Sequence, residues 1–241
     1  MLADAQRRHL RVVLVRTRNP LNIGAAARAM SNLGFAHLRV VLPYELAFRE
    51  ARSAAGAAEL LRAAEEYENV ADAVADCSLV IGTTAIGKRQ LQQQVRTLPA
   101  GAKVIRNRLG SDRVAILFGS EKTGLSNQEL SHCHWLLHIP TSSEHLSMNL
   151  AQAVAITLYE LSREAPSRST ENGSKLASAA ELERLTQTLV EAASESGFFT
   201  EPAAASRELK LRRLIRRLRL QENDAEVLLA MVRQMLWKMK R

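Results

Sequence analysis

Apolar runs with no polar alternation punctuate the first two thirds of the chain. Val12-Val13-Leu14-Val15 leads into Arg16-Thr17-Arg18-Asn19-Pro20, Leu79-Val80-Ile81 stops at Gly82, and Val114-Ala115-Ile116-Leu117-Phe118 stops at Gly119. Two further runs, Leu38 to Leu42 and Trp135 to Ile139, are closed by Pro43 and Pro140. Strand-length runs of this kind suit parallel strands buried on both faces. Helical patterns lie between them. Ile23 to Leu33 is alanine-rich and stops at Gly34, a suitable C′ glycine. Ala57 to Glu66 and Ala100 to Leu109 read as helices, and Ser126-Asn127-Gln128-Glu129 is a capping box that opens another. Ser147 to Leu161 is apolar on nearly every side, which calls for burial in a core or a subunit contact. Strand and helix alternate, so residues 1–164 are expected to form an α/β domain on a mainly parallel sheet.

The pattern then changes. Residues 165–176 read as a linker, since Pro166 to Lys175 holds no large apolar side chain. Residues 177–241 read as an α-helical, basic extension. Leu211, Leu214, Ile215 and Leu218 mark one helix face, expected to point inward. Arg212, Arg213, Arg216 and Arg217 crowd the remainder and are expected to face outward as an RNA phosphate-binding strip. A second helix, Asp224 to Lys240, carries Val227, Leu228, Met231, Met235 and Leu236.

Composition narrows the classes. Of 241 residues, 46 % are hydrophobic, which excludes wholesale disorder. The 33 basic residues against 25 acidic ones leave +8, favouring a polyanionic partner, nucleic acid ahead of an anionic membrane. No run reaches the ~18 apolar residues of a membrane span, and Met1 to Arg8 lacks the apolar core of a signal peptide. Two cysteines, Cys77 and Cys133, cannot make a disulfide framework, so a cytoplasmic location is expected. Aromatics at 4 % argue against a single-stranded nucleic-acid binder built on stacking platforms.

Several short motifs carry candidate chemistry. Gly82 to Arg89 nearly spells a P-loop, but Arg89 replaces the hydroxyl that would hold magnesium. It reads instead as a tight turn or a ligand loop at a strand end. His132, Cys133, His134 and His138 fit no zinc spacing, and no metal is expected. Asn22-Ile23-Gly24-Ala25-Ala26-Ala27-Arg28 opens a helix whose first N–H groups are free for an anion, with Gly24 and Arg28 on one face. Gly119-Ser120-Glu121-Lys122-Thr123-Gly124-Leu125 and Ser147-Met148-Asn149-Leu150 are two further polar turns. Turns at the ends of parallel strands converge on one crevice.

Asn22-x-Gly24-x-x-x-Arg28, Phe118-Gly119-Ser120-Glu121-x-x-Gly124-Leu125, and Ile139-Pro140 followed by Ser147-Met148-Asn149-Leu150 resemble, in order and spacing, the three motifs of the SPOUT superfamily in its TrmH-like 2′-O-methyltransferase branch. The likeness covers about Leu10 to Leu161. The extension, with Gly197-Phe198-Phe199 and Leu211 to Leu220, resembles more loosely the bacterial tRNA enzymes that methylate ribose at nucleotide 32 of the anticodon loop, on cytidine or uridine. The resemblance implies a sheet threaded into a C-terminal trefoil knot, S-adenosyl-L-methionine as cofactor, tRNA as substrate and a homodimer with active sites at its interface, with no DNA or membrane partner. By motif position, cofactor contacts fall on Thr83, Thr84, Ala85, Gly119, Ile139, Leu146, Ser147 and Met148. Asn22, Arg28, Glu121, Ser147 and Asn149 fall on the positions linked with substrate and catalysis. Met148 stands where leucine is commoner, a volume-conserving change.

Methyl transfer from a sulfonium to a ribose hydroxyl is an in-line displacement with a neutral leaving group. The hard part is the alcohol, which must lose its proton near attack. A guanidinium with pKa above about 12 is a poor proton acceptor, so Arg28 is expected to orient the hydroxyl and stabilise developing alkoxide, with an RNA phosphate as proton acceptor. Ser147 and Asn149 would position the ribose. Two alternatives stay open: another tRNA or rRNA nucleotide as target, or a non-catalytic basic RNA-binding protein with a degenerate core.

Overall fold

Each of the five apolar runs becomes a strand, and two short edge strands join them. The computed structural model describes residues 2–53, 58–86, 91–142, 144–163, 175–199 and 204–241. The strands are β1 (Leu10–Val15), β2 (Leu38–Val41), β3 (Glu65–Tyr67), β4 (Leu79–Thr83), β5 (Val95–Thr97), β6 (Val114–Phe118) and β7 (Trp135–His138). They pair in the order β3-β2-β1-β6-β4-β7-β5, and every pairing is parallel. Around them lie α1 (Asp4–Arg7), α2 (Pro20–Asn32), α3 (Glu45–Ser53), α4 (Ala58–Arg62), α5 (Val70–Ala73), α6 (Leu98–Arg108), α7 (Asn127–Ser131) and α8 (Leu150–Arg163). The C-terminal part adds α9 (Ala179–Glu195), α10 (Ala204–Leu218) and α11 (Glu222–Met239).

Side chains alternate across a strand, so each central strand feeds two cores. Leu10, Val12, Leu14, Ile81, Ile116, Phe118 and Leu137 face α2, α6 and α8. Val13, Val15, Val80, Ala115, Leu117 and Leu136 face the other layer, with Val70, Leu130 and Ala179. Burial on both faces is why β1 and β6 are apolar throughout.

Local signals decide several boundaries. Gly34 ends α2 at φ +76°, as its position predicted. Ser126 and Glu129 form the expected capping box of α7. The helix expected from Ser147 starts at Leu150, because the Asn149 side-chain oxygen accepts the N–H groups of Ala151 and Gln152 and so caps it. The expected Ala57 to Glu66 helix ends at Arg62, and Glu65–Tyr67 pairs with β2 instead. Edge pairing and an ion pair from Glu65 to Arg39 at 3.3 Å override the helical propensity of that segment.

The extension overturns one expectation. Arg212 and Arg216 do not face outward: they are 6 % and 1 % exposed, whereas Leu214 and Leu218 are 42 % and 52 % exposed. The reason is Glu183 on α9, which Arg212 grips through Nε and Nη2 at 3.0 and 2.9 Å, with Arg216 at 3.6 Å. An arginine is buried only when paired; Arg212 also meets Glu208 one turn back at 2.6 Å, but Glu183, which buries it, lies 29 residues away, beyond any helical periodicity. Arg213 is half-buried and donates to Gln92 and to the Asn127 carbonyl. Arg217 is exposed. Charge reversal at Arg212 or Arg216 would therefore break a buried network rather than strip a surface. The extension is also tied to the sheet domain by backbone bonds, Ala179 N–H to the Cys77 carbonyl at 2.8 Å and Ala180 N–H to Ala75 at 3.1 Å. Of the linker, residues 165–174 lie outside the described residues; Leu176 bridges to Gln221.

Two histidines beneath this junction give the fold a pH dependence. His134 is buried, and its Nδ1 accepts the Val80 N–H at 3.0 Å; burial and then Arg216 lower its pKa from 6.5 to about 3. Burial, then Arg212 and Arg216, lower that of His132 to about 4. Both stay neutral in the fold but protonate near 6.5 when unfolded, so stability is complete above 6.5 and falls as pH drops towards 4. Urea unfolding at pH 7 and pH 5 should differ by roughly 3–4 kcal/mol for the pair. Equal stabilities at the two pH values would contradict these buried neutral rings.

Candidate active site

The strands' carboxyl ends define the site. Thr83, Thr84 and Ala85 leave β4, the Gly119 to Leu125 loop leaves β6, and Ile139 to Met148 leave β7; these three strands are neighbours in the sheet. Their loops enclose a cavity of about 350 Å³, also lined by Leu130, Leu137, Leu150 and Ala153. That volume lies within the range of about 300–1,000 Å³ usual for small-molecule sites.

The walls are held by specific bonds. Thr84 N–H donates to the Leu137 carbonyl at 2.9 Å, and the Thr83 hydroxyl donates to the Leu117 carbonyl at 2.9 Å. Gly119 is a glycine of necessity. A Cβ there would lie 2.3 Å from the Gly124 carbonyl carbon and the Leu125 nitrogen. The loop folds back on itself through the Ser120–Gly124 bridge, and Gly124 turns it at φ +63°. Arg16, itself left-handed at φ 53°, clamps the loop by donating to both Glu129 oxygens, at 2.6 and 3.0 Å, and to the Gly124 carbonyl at 3.3 Å. Glu129 is held below its ordinary pKa by Arg16 and Ser126 against the opposing effect of burial.

Beside the cavity, one hydrogen-bonded chain joins the three motifs. The Glu121 carboxylate accepts from the Arg18 and Asn19 backbone N–H groups, at 3.2 and 3.3 Å, and from the Asn22 amide at 3.1 Å. The Asn22 oxygen accepts from the Asn149 amide at 2.8 Å. The Asn149 oxygen caps α8. The anion expected at the start of α2 is thus the chain's own Glu121, which sits where backbone N–H groups and the helix dipole favour negative charge.

Thr83, Thr84, Ala85, Gly119, Ile139, Leu146, Ser147 and Met148 all lie on the cavity wall, as does Glu121. Asn22 and Asn149 stand beside it through the chain just described. Arg28 is not brought in. It is exposed on α2, does not line the cavity, and has no hydrogen bond or ion pair among the described residues. Residues 87–90 of the near-P-loop lie outside the described residues. Two features escaped the sequence reading. The Arg16–Glu129 clamp spans 113 positions and leaves no local signal. Thr141 lines the cavity with a buried hydroxyl that has no partner among the described residues, and only its place after Ile139-Pro140 could have flagged it. The histidine group has structural tasks instead, His134 toward Val80 and His138 Nδ1 within 3.3 Å of the Thr84 carbonyl.

A cofactor-sized cavity at parallel strand ends, joined to a polar chain from three motifs, defines a class. The sequence matches the SpoU rRNA methylase family over residues 9–159, and the chain belongs to that family. Among individual relatives, the tRNA (cytidine/uridine-2′-O-)-methyltransferase TrmJ of Sodalis glossinidius is 34 % identical over 230 residues, covering 93 % of this chain and 90 % of that one. The tRNA (cytidine/uridine/adenosine-2′-O-)-methyltransferase TrmJ of Pseudomonas aeruginosa is 38 % identical over 153 residues, 63 % of this chain and 60 % of that one. The crystal structure of TrmJ from Z. mobilis ZM4 is similar with a TM-score of 0.81 at 31 % identity, covering 95 % of this chain and 98 % of that one.

Proposed function

We propose that the chain is an S-adenosyl-L-methionine-dependent tRNA 2′-O-methyltransferase that works in the cytoplasm as a homodimer, on cytidine or uridine at nucleotide 32 of the anticodon loop. The observation that carries this is the Glu121–Asn22–Asn149 chain beside the three-loop cavity. The near-complete overlap with TrmJ relatives supports the tRNA substrate. The knotted path of the C-terminal strands, β6 to α8, belongs to the same proposal.

The cavity suits the cofactor on its own terms. Leu130, Leu137, Ile139, Leu146 and Leu150 supply apolar walls for an aromatic base, and the Thr141 hydroxyl, buried with no partner among the described residues, supplies a polar group. Loop closure at Gly119 leaves no room for a side chain but brings backbone against the cavity. When bound there, adenosylmethionine would supply an electrophilic methyl group, and the sulfonium that gives it up would become a neutral thioether. Ser147 and Asn149 hold the ribose, and Glu121 fixes Asn22 so that Asn149 is presented in one orientation. Arg28 stabilises the developing alkoxide while an RNA phosphate takes the hydroxyl proton.

Arg28 meets a site through a subunit contact. The outer faces of α2 and α8 carry Leu21, Ala25, Ile156 and Tyr159, all exposed, and the two helices pack side by side. An apolar surface of this kind calls for a partner, and Arg28 lies on it. On the extension, exposed Arg217, with Lys210, Arg219 and half-buried Arg213, contacts tRNA phosphates. Incubating the protein with labelled adenosylmethionine and tRNA lacking ribose methylation should transfer label to the tRNA, with activity in the dimer fraction. Label-free tRNA, or activity confined to monomer, would refute the proposal.

A further inference from the structure

We infer that Tyr44 is a stacking platform for a nucleobase flanking the reacting nucleotide; the inference rests on the RNA-methylating function proposed above. All pairings in the sheet are parallel, so the segment after β2 emerges on the same edge as the site loops after β1 and β6. That segment, Leu42-Pro43-Tyr44, is bolted to the first motif. Arg16 N–H donates to the Val41 carbonyl at 2.8 Å, and Tyr44 N–H donates to the Thr17 carbonyl at 3.1 Å. The next residue, Arg18, gives its N–H to Glu121. Tyr44 is thereby fixed within a few residues of the polar chain that faces the cavity.

Its setting is unusual for an aromatic ring. Tyr44 is 56 % exposed, between Leu42 at 54 % and Leu46 at 56 %. Leu42 is held at φ 44°, a conformation leucine rarely takes, and Pro43 disfavours the right-handed helical alternative. Its N–H donates to the Tyr67 carbonyl at 3.0 Å. A strained backbone that exposes its own apolar side chain gains nothing for the core, and such strain concentrates where a surface is used. The other large exposed aromatics among the described residues, Tyr159, Phe198 and Trp237, lie on α8 or the extension; Tyr44 alone of them stands at the sheet's carboxyl edge.

Charge and spacing identify the occupant. Arg16 is committed to Glu129, so the cation beside the platform is Arg18, exposed next to the Thr17 anchor; an anionic ligand that can also stack fits that pairing. Strands β2 and β6 lie two positions apart in the sheet, about 10 Å at the usual strand spacing. A nucleotide whose ribose sits beside Glu121 and Asn22 would have its neighbour on the side of Tyr44. Single-stranded loops are recognised by bases splayed onto aromatic side chains, and such stacking tolerates any base. The low aromatic content argues against repeated platforms, not against one.

The test uses the full-length protein and an unmodified tRNA transcript with cytidine at nucleotide 32. Tyr44→Ala should raise KM for the tRNA about tenfold, in the range one base–aromatic stack contributes, with kcat and adenosylmethionine affinity unchanged. Tyr44→Phe should behave as wild type, because the ring and not the hydroxyl does the stacking. A transcript carrying 2-aminopurine next to the target should be quenched on binding wild type but not Tyr44→Ala. Wild-type KM in Tyr44→Ala, a Tyr44→Phe variant as impaired as alanine, or a shift of Tyr44→Ala to monomer in sedimentation would each overturn the inference. Wild-type protein that methylates no tRNA would instead remove the functional reading itself, a result separable from the other three.

Discussion

Gly119→Ala should weaken adenosylmethionine binding by about 100-fold or more, roughly 3 kcal/mol, while leaving the sheet folded. The added Cβ would lie 2.3 Å from two backbone atoms, the Gly124 carbonyl carbon and the Leu125 nitrogen, and 2.8 Å from the Gly124 oxygen. A side chain could swing away from such a contact; backbone cannot without opening the loop. Opening it breaks the Ser120–Gly124 bridge and draws the Gly124 carbonyl from Arg16. Gly119 follows the last residue of β6, so the strand ladder is spared. Gly124→Ala is the control. Its Cβ meets nothing within 4 Å, but the residue sits at φ +63°, so the loss should stay near the 1–2 kcal/mol of a left-handed alanine. Calorimetry with both variants decides the matter: Gly119→Ala binding like wild type would mean that the loop is not a cofactor wall.

Arg28→Ala should lose about 100- to 1,000-fold in single-turnover rate and almost nothing in cofactor affinity. The guanidinium neither lines the cavity nor pairs with any described residue, so its removal leaves the cofactor walls intact. Arg28→Lys should recover only part of the rate, since a point charge does not reproduce a planar fork of donors. In the proposed dimer, Arg28 on the outer face of α2 would act on the site of the other subunit. Mixed dimers of Arg28→Ala and Gly119→Ala chains should therefore regain activity, as one of their two sites combines an intact cofactor loop with an intact arginine. Mixed dimers as inactive as either parent would place Arg28 in its own subunit's site or outside catalysis.

The parallel sheet was legible because burial on both faces writes itself into unbroken apolar runs such as Val114 to Phe118. Edge strands leave no such trace. Glu65–Tyr67 is polar, with both glutamates exposed, and only its pairing with β2 makes it a strand. Loops that would gather around one cavity could be recognised from Asn22, Gly119, Glu121 and Asn149, since each motif follows a strand end. What could not be read was long-range pairing of charge. Nothing near Arg212 announces Glu183, and without that carboxylate the leucine face looked like the buried one. Arg16 and Glu129, likewise, meet only once β1 and α7 are placed side by side.

The most direct test is nucleotide-resolved mapping of the methyl group on tRNA exposed to the purified protein and adenosylmethionine. A single alkali-resistant linkage after nucleotide 32, on cytidine or uridine and absent with Arg28→Ala, is the expected result. Methylation on a base, or no ribose methylation at any position, would contradict a site in which Asn149 and Arg28 present a ribose hydroxyl to the cavity.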